Sequence, residues 1–247
     1  MNKIVKRILI ITGIIIGVLV LIGGVVFLKL KSAQSTLDPL ETGKITDNIF
    51  VIGDGYVNMF IIKDSAQYIV IDCGAFPEIV AEQMEKSGIS PNEIVAVFLT
   101  HTDADHTGSL DCFDKAKLYM SKEEEQMING NKSKSIWIPD NTISRTDYTT
   151  LEDREIIHTG NLKIEGILAP GHTSGTMAYL VNDKYLFSGD ILSLKDGKIA
   201  PIPSMFNMDS KQALKSMELL RHIPTAECIF TSHWGYTDNY KAAVKTE

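Results

Sequence analysis

The chain has 247 residues, a formal net charge of −7 and three cysteines. All 31 acidic residues lie beyond Lys31, whereas five of the 24 basic residues lie at or before it, so the remaining residues carry a formal charge of −12. Because binding of a long polyphosphate backbone depends on basic side chains, this balance argues against long nucleic acids as partners. A small phosphodiester is not excluded.

The first element is an apolar run over residues 8–28, without a charged side chain. A helix of this length, rising about 1.5 Å per residue, crosses a hydrocarbon core of about 30 Å. The alternative is a cleaved signal peptide. The run exceeds the usual apolar length of such a peptide, and Lys31 occupies a position that cleavage requires to be small. We therefore predict an uncleaved single-pass anchor in the lipid bilayer of the cell membrane.

The flanking charges predict the orientation of this anchor. Three basic side chains precede the run and two follow it. By the positive-inside rule the N-terminus lies in the cytoplasm and the rest of the chain outside. The predicted organisation is a short tail over 1–7, the anchor over 8–28, a linker over 29–40 and one globular domain over 41–247.

Hydrophobic patterning then predicts alternating strands and helices. In chain order the predicted strands lie near 49–53, 58–63, 67–72, 94–99, 117–120, 155–158, 162–168, 177–181, 184–188 and 227–231. Two longer helices are predicted near 77–87 and 209–221, and a short helix is predicted from Ser121. Ser121 and Glu124 have the spacing of a capping box. Residues 129–153, which include Trp137 and Pro139, are polar and are interpreted either as a surface loop or as a lid over a site.

Two histidines and two aspartates follow the apolar run 94–99 within six residues: His101, Asp103, Asp105 and His106. Imidazole and carboxylate are the ligands that zinc accepts, and more oxygen-rich sets suit iron or manganese. The alternative is a solvated turn, since Asp, Thr and Gly are ordinary turn residues. Clustering at alternate positions lets these side chains converge on one point, which favours a metal site.

Three further strand-like runs end in residues of the same type, namely His172, Asp190 and His233. Four strand ends thus each supply at least one candidate ligand. The two remaining histidines, His158 and His222, are predicted to be structural.

This order of residues resembles that of the metallo-β-lactamase-fold hydrolases, whose signature is His-x-His-x-Asp-His, then a single His, an Asp and a final His. The resemblance extends from about Ile45 to Gly235. It implies an α/β fold, a four-layer αββα sandwich, with two zinc ions per chain. The implied ligands are His101, Asp103 and His172 for one ion, Asp105, His106 and His233 for the other, and Asp190 bridging them.

Asp103 departs from the signature, which has its second histidine at this position. An anionic carboxylate makes the first site harder and less electrophilic than a third imidazole would. Iron or manganese therefore remains an alternative to zinc. A weak or empty first site is a further alternative.

The resemblance implies hydrolysis by a metal-bound hydroxide, with Asp105 as the catalytic residue that orients the attacking water and accepts its proton. The expected substrate is a small molecule with an ester, thioester or lactone bond. Two alternatives stay open: a phosphodiesterase or nuclease of the same fold, and a noncatalytic metal-binding membrane scaffold. The sequence leaves the particular substrate and the oligomeric state open.

Overall fold

The computed structural model describes residues 2–65, 67–134 and 141–245. Trp137 and Pro139, in the predicted loop or lid, lie outside the described residues. The chain divides into two compact units, Met1–Leu37 and Asp38–Glu247.

The first unit is built on one long helix, α1 (Lys3–Gln34). The side chain of Asn2 caps it by accepting a hydrogen bond from the backbone N–H of Ile4 at 3.2 Å. By length and composition the helix is able to cross a membrane, and a signal sequence near the N-terminus would meet the same criteria. The helix continues past the apolar run 8–28 into part of the predicted linker 29–40.

In its described residues, the second unit contains two large β-sheets and a small hairpin. The first sheet has seven strands, which follow one another in space in chain order: β1 (Gly43–Lys44), β2 (Ile49–Gly53), β3 (Asn58–Asp64), β4 (Gln67–Ile71), β5 (Ile94–Phe98), β6 (Lys117–Ser121) and β7 (Tyr148–Leu151). The second sheet has six strands: β8 (Ile156–Thr159), β9 (Leu162–Leu168), β10 (Met177–Val181), β11 (Tyr185–Phe187), β14 (Cys228–Phe230) and β15 (Tyr236–Thr237). The hairpin joins β12 (Ser193–Lys195) to β13 (Lys198–Ala200).

The helices of this unit range from one to three turns. They are α2 (Pro77–Lys86), α3 (Ala104–Thr107), α4 (Glu125–Ile128), α5 (Ser210–Leu220) and α6 (Tyr240–Ala243). Pro77 begins α2, where its missing N–H costs no intrahelical bond. Asp209 caps α5 by accepting from the backbone N–H groups of Lys211 and Gln212.

The two sheets pack face to face over one apolar core, to which Phe60 of the first sheet and Phe187 of the second both contribute. A second apolar cluster, on the outer face of the first sheet, includes Val80 of α2. A third, on the outer face of the second sheet, includes Leu220 of α5 and Tyr240 of α6. Each sheet is thus covered on both faces, and the predicted four-layer αββα sandwich is confirmed.

The structure corrects two local predictions. Part of the stretch 129–153 is not a loop, because Tyr148–Leu151 pairs in parallel with β6 as strand β7. This segment is short and polar, so its sequence shows no clear strand pattern. Its register is set by pairing with β6. The capping box is also only half formed: Ser121 accepts from the N–H of Glu124, but the Glu124 carboxylate bonds elsewhere.

Candidate metal centre

The candidate ligands all lie in short segments that follow strands. His101 lies after β5, and α3 carries Asp105 and His106. His172 lies in the loop between β9 and β10, and Asp190 in a 3-10 turn, Gly189–Ile191, after β11. His233 follows β14. Because these segments lie together, residues far apart in sequence form one cluster.

The cluster has two groups of potential metal ligands. His101, His172 and Asp190 form one group, and Asp105, His106 and His233 form the other. In each group the ligand atoms lie within 4.8 Å of one another. The structure therefore brings together six of the seven predicted ligands in this way.

Asp190 lies between the two groups. Its Oδ1 is 3.7 Å from Nε2 of His106, and its Oδ2 is 3.6 Å from Nε2 of His172 and 3.2 Å from Nε2 of His233. One carboxylate thus faces histidines of both groups, which is the position that a bridging ligand requires.

Hydrogen bonds to Nδ1 orient three of the histidines. Nδ1 of His106 donates to Asp72 at 2.9 Å, and Nδ1 of His233 donates to the carbonyl of Tyr56 at 2.5 Å. The hydroxyl of Thr100 donates to Asp72, so it accepts from Nδ1 of His101 at 3.0 Å. In the neutral ring, a proton on Nδ1 leaves the lone pair of Nε2 facing the cluster, as a metal ligand requires.

The residues present fit a metal ion. Among the described residues, the buried atoms His101 Nε2, His106 Nε2 and Asp190 Oδ1 have no hydrogen-bond partner. Buried polar atoms are rarely left without a partner, because their desolvation costs free energy. A divalent cation would bind these atoms and remove that cost.

Burial and neighbouring charges set the protonation of the cluster. Burial lowers the pKa of His101 to about 3, so its imidazole is neutral at physiological pH. Burial also opposes protonation of His106, but the carboxylates of Asp105, Asp72 and Asp190 outweigh it and raise the pKa well above the usual value. For Asp190, burial favours the neutral form, yet His233 and the other histidines hold its pKa well below the usual range.

Two glycines make the approach of the ligand loops possible. Gly171 and Gly189 directly precede His172 and Asp190, and both have positive φ, 138° and 56°. A Cβ atom on Gly171 would lie 2.2 Å from the backbone nitrogen of Ala213, and one on Gly189 would lie 2.8 Å from Cβ of Thr100. Only glycine fits at these two positions without displacing backbone or side chain.

Asp103, the position that departs from the family signature, lies beside the first group. Its Oδ2 is 3.4 Å from Nε2 of His101 and 3.1 Å from Nε2 of His172. Asn141 donates to its Oδ1 at 2.9 Å, and the ammonium of Lys134 contacts its Oδ2. Burial would raise the pKa of Asp103, but His101 and His172 hold it well below the usual range.

Glu124 ties the two loops that carry His101 and His172. Its fully buried carboxylate accepts from the N–H and hydroxyl of Thr102, both at 2.8 Å, and from the hydroxyl of Thr173 at 2.6 Å. Burial raises the pKa of Glu124 to about 7. Glu124 therefore holds the loops together without belonging to the ligand set.

Sequence reasoning missed four residues of the centre: Asp72, Glu124, Lys134 and Asn141. Asp72 ends a buried strand, and a carboxylate at such a position was an available signal. The other three reach the site only through the fold. The other two histidines lie elsewhere: His158 is exposed in β8, and Nδ1 of His222 lies 2.8 Å from the carbonyl of Glu218 at the end of α5.

The curated relatives include metal-dependent hydrolases. The chain is 29% identical over 157 residues to the probable metallo-hydrolase MJ0296 of Methanocaldococcus jannaschii, with 64% of this chain and 65% of the relative aligned. It is 25% identical over 192 residues to the acyl-coenzyme A thioesterase MBLAC2 of Homo sapiens, with 64% and 68% aligned. The chain spans about two thirds of the length of these two relatives.

The fold has close counterparts among solved structures. The metallo-beta-lactamase family protein TTHA1429 of Thermus thermophilus superposes with a TM-score of 0.65 at 15% identity, over 81% of this chain and 78% of that one. The sequence profile of the Metallo-beta-lactamase superfamily matches residues 52–233, a range that contains every candidate ligand. The chain belongs to the metallo-β-lactamase superfamily and has the fold of that superfamily.

Proposed function

We propose that this protein is a metal-dependent hydrolase that cleaves an ester, thioester or lactone bond of a small substrate. The observation that carries the proposal is the convergence of two groups of mostly buried ligands, with Asp190 of the first group also facing His233 of the second. The thioesterase activity in the name of the human relative supports an acyl substrate. The formal charge of −12 beyond Lys31 disfavours long nucleic acids.

Zinc fits the two ligand groups, because imidazole and carboxylate are its common ligands. His101, Asp103 and His172 would hold one ion, Asp105, His106 and His233 a second, and Asp190 would contact both. A bound zinc ion supplies Lewis acidity, which lowers the pKa of water toward about 7 and polarises a substrate carbonyl.

Asp105 is the proposed proton acceptor. Its carboxylate lies 3.4 Å from Nε2 of His233 and 3.7 Å from Nε2 of His106. Its side chain is 25% exposed, whereas those of both histidines are buried. This carboxylate can therefore orient a water molecule that enters from solvent and take up its proton.

The proposed mechanism does not need a nucleophilic side chain, and the cysteines are poor candidates for that role. Burial raises the pKa of the thiols of Cys73, Cys112 and Cys228, that of Cys73 well above the usual value. A thiol in this state offers little of the thiolate that attacks a carbonyl.

We also propose that residues 8–28 anchor the protein in the membrane as a single span, with the domain over 41–247 outside the cytoplasm. The length and composition of α1 support the span. The three basic residues before the span, against two after it, support the orientation.

The test is turnover of a substrate panel by the full chain in detergent. The panel contains p-nitrophenyl acetate, an acyl thioester, an acyl-homoserine lactone and bis-p-nitrophenyl phosphate. We expect hydrolysis of the acyl substrates, loss of activity with EDTA and recovery with zinc. Preference for the phosphodiester would overturn the proposed substrate class, and absence of any metal-dependent turnover would favour a noncatalytic scaffold.

A further inference from the structure

Lys134 extends into the first group of ligands. Its Nζ contacts Oδ2 of Asp103 and lies 2.8 Å from Nε2 of His172. Only 13% of its side chain is exposed. A lysine side chain is rarely this buried without a specific partner, because its charge must be desolvated.

The two atoms that Lys134 contacts are two of the ligand atoms that a first metal ion would need. An ammonium group has three donors and no acceptor, so Nζ donates to the lone pair of His172 Nε2. The same lone pair cannot bind an ion at the same time. In this arrangement the lysine and a metal ion at the first position exclude each other.

The second group lacks such a contact. Among the ion pairs of the described residues, Asp105 and Asp190 pair only with histidines. Nε2 of His106 has no hydrogen-bond partner there. The two groups thus differ: a side-chain cation contacts ligand atoms of the first group, and among the described residues no side-chain ammonium or guanidinium pairs with a ligand of the second.

Asp103 and Lys134 compensate each other. A neutral histidine at position 103 would leave a nearby ammonium without a counter-charge. The Asp103 carboxylate neutralises that charge, and Asn141 donates to its other oxygen at 2.9 Å. A buried ion pair is tolerated when its remaining polar atoms are hydrogen-bonded in this way.

We propose that Lys134 supplies the cation of the first position, so that the protein binds a single metal ion at Asp105, His106 and His233, with Asp190. The aspartate that stands at position 103 in place of the signature histidine is then one member of an internal ion pair with Lys134. The inference rests on the proposed metal centre and changes its stoichiometry.

The test is the zinc content of the full-length protein in detergent, measured by isothermal titration calorimetry and elemental analysis at matched free zinc. The variants are Lys134→Met, which removes the charge but keeps an unbranched side chain, and Lys134→Arg, which keeps the charge. Lys132→Met is the matched control, because Lys132 is exposed in the same segment. Circular dichroism checks that each variant is folded.

We expect about one zinc ion per chain in the wild type, Lys134→Arg and Lys132→Met, and about two in Lys134→Met. If Lys134→Met fails to fold, the number of zinc ions bound by the wild type and by Lys134→Arg still tests the inference. Two ions in the wild type would overturn the inference and leave the proposed hydrolase intact. One ion in a folded Lys134→Met would show that Lys134 does not block the first position, and no ion in any protein would overturn both proposals.

Discussion

The carboxylate of Asp72 accepts a hydrogen bond from Nδ1 of His106 at 2.9 Å, and both side chains are buried. The same carboxylate accepts from the backbone N–H and the hydroxyl of Thr100, next to His101. One aspartate at the end of β4 therefore fixes the orientation of a histidine in each ligand group. The orientation of these ligands thus depends on a residue that is not itself a ligand.

Replacing Asp72 by Asn is expected to weaken zinc binding about 10- to 100-fold, because the ring of His106 loses the anionic acceptor that orients it. Competition with a chromophoric chelator measures the affinity. Asp111→Asn, at an exposed position, is the control. Equal affinity in all three proteins would show that Asp72 does not position a ligand.

His106→Ala and Asp190→Ala are each expected to reduce turnover of an acyl substrate to the background rate. His106 belongs to the second group, and Asp190 faces histidines of both groups. The matched control is His158→Ala, since His158 is exposed in β8 and should be dispensable. Full activity in either site variant would contradict the ligand assignment.

Asp103→His is expected to increase zinc retention at the first position. The change restores a third imidazole and removes the carboxylate that pairs with Lys134, so the ammonium loses its counter-charge. Equilibrium dialysis against a zinc buffer gives the number of ions bound. Unchanged zinc content together with unchanged activity would exclude a role for Asp103 in this position.

The buried carboxyl group of Glu124 should make the stability of the protein depend on pH. Burial raises the pKa of Glu124 in the folded state to about 7. Its contribution to the free energy of unfolding is therefore fully present below the unfolded-state pKa and is lost as the pH rises toward 7. Relative to Glu124→Gln, the wild type should lose roughly 2 to 3 kcal/mol between about pH 4.5 and 8. Urea unfolding of the metal-free proteins measures the difference.

The control for this series is Glu85→Gln, because Glu85 is exposed in α2. Its stability difference from the wild type should not vary over the same pH range. If the difference between wild type and Glu124→Gln is also constant with pH, Glu124 does not titrate in this window.

The anchor predicts that the protein produced in its own host keeps its N-terminus and stays in the membrane fraction after alkaline carbonate washing. Intact mass and N-terminal sequence give the first result, and immunoblotting of the fractions gives the second. Deleting residues 8–28 should release the protein into the soluble fraction. A shortened N-terminus with soluble protein would identify a cleaved signal peptide instead.

Local patterns in the amino-acid sequence were enough to predict the superfamily, the αββα sandwich and the segments that carry the candidate ligands. These features follow from local patterns: apolar runs predict β5 and β9, and histidines or aspartates directly after them predict a site at the strand ends. The short strand β7 and the hairpin of β12 and β13 escaped prediction, because few residues in them carry a pattern and their pairing depends on neighbouring strands.

How the ligands are held and which charge lies among them depend on contacts between segments that are distant in the sequence. Lys134 and Asp103 are distant in sequence, and no periodicity predicts that an ammonium from a polar stretch contacts a carboxylate of the metal motif. The bonds of Asp72 to His106 and of Glu124 to Thr173 likewise join separate segments. Sequence patterns report which face of an element is buried, whereas contacts between side chains from different elements arise only when packing brings those elements together.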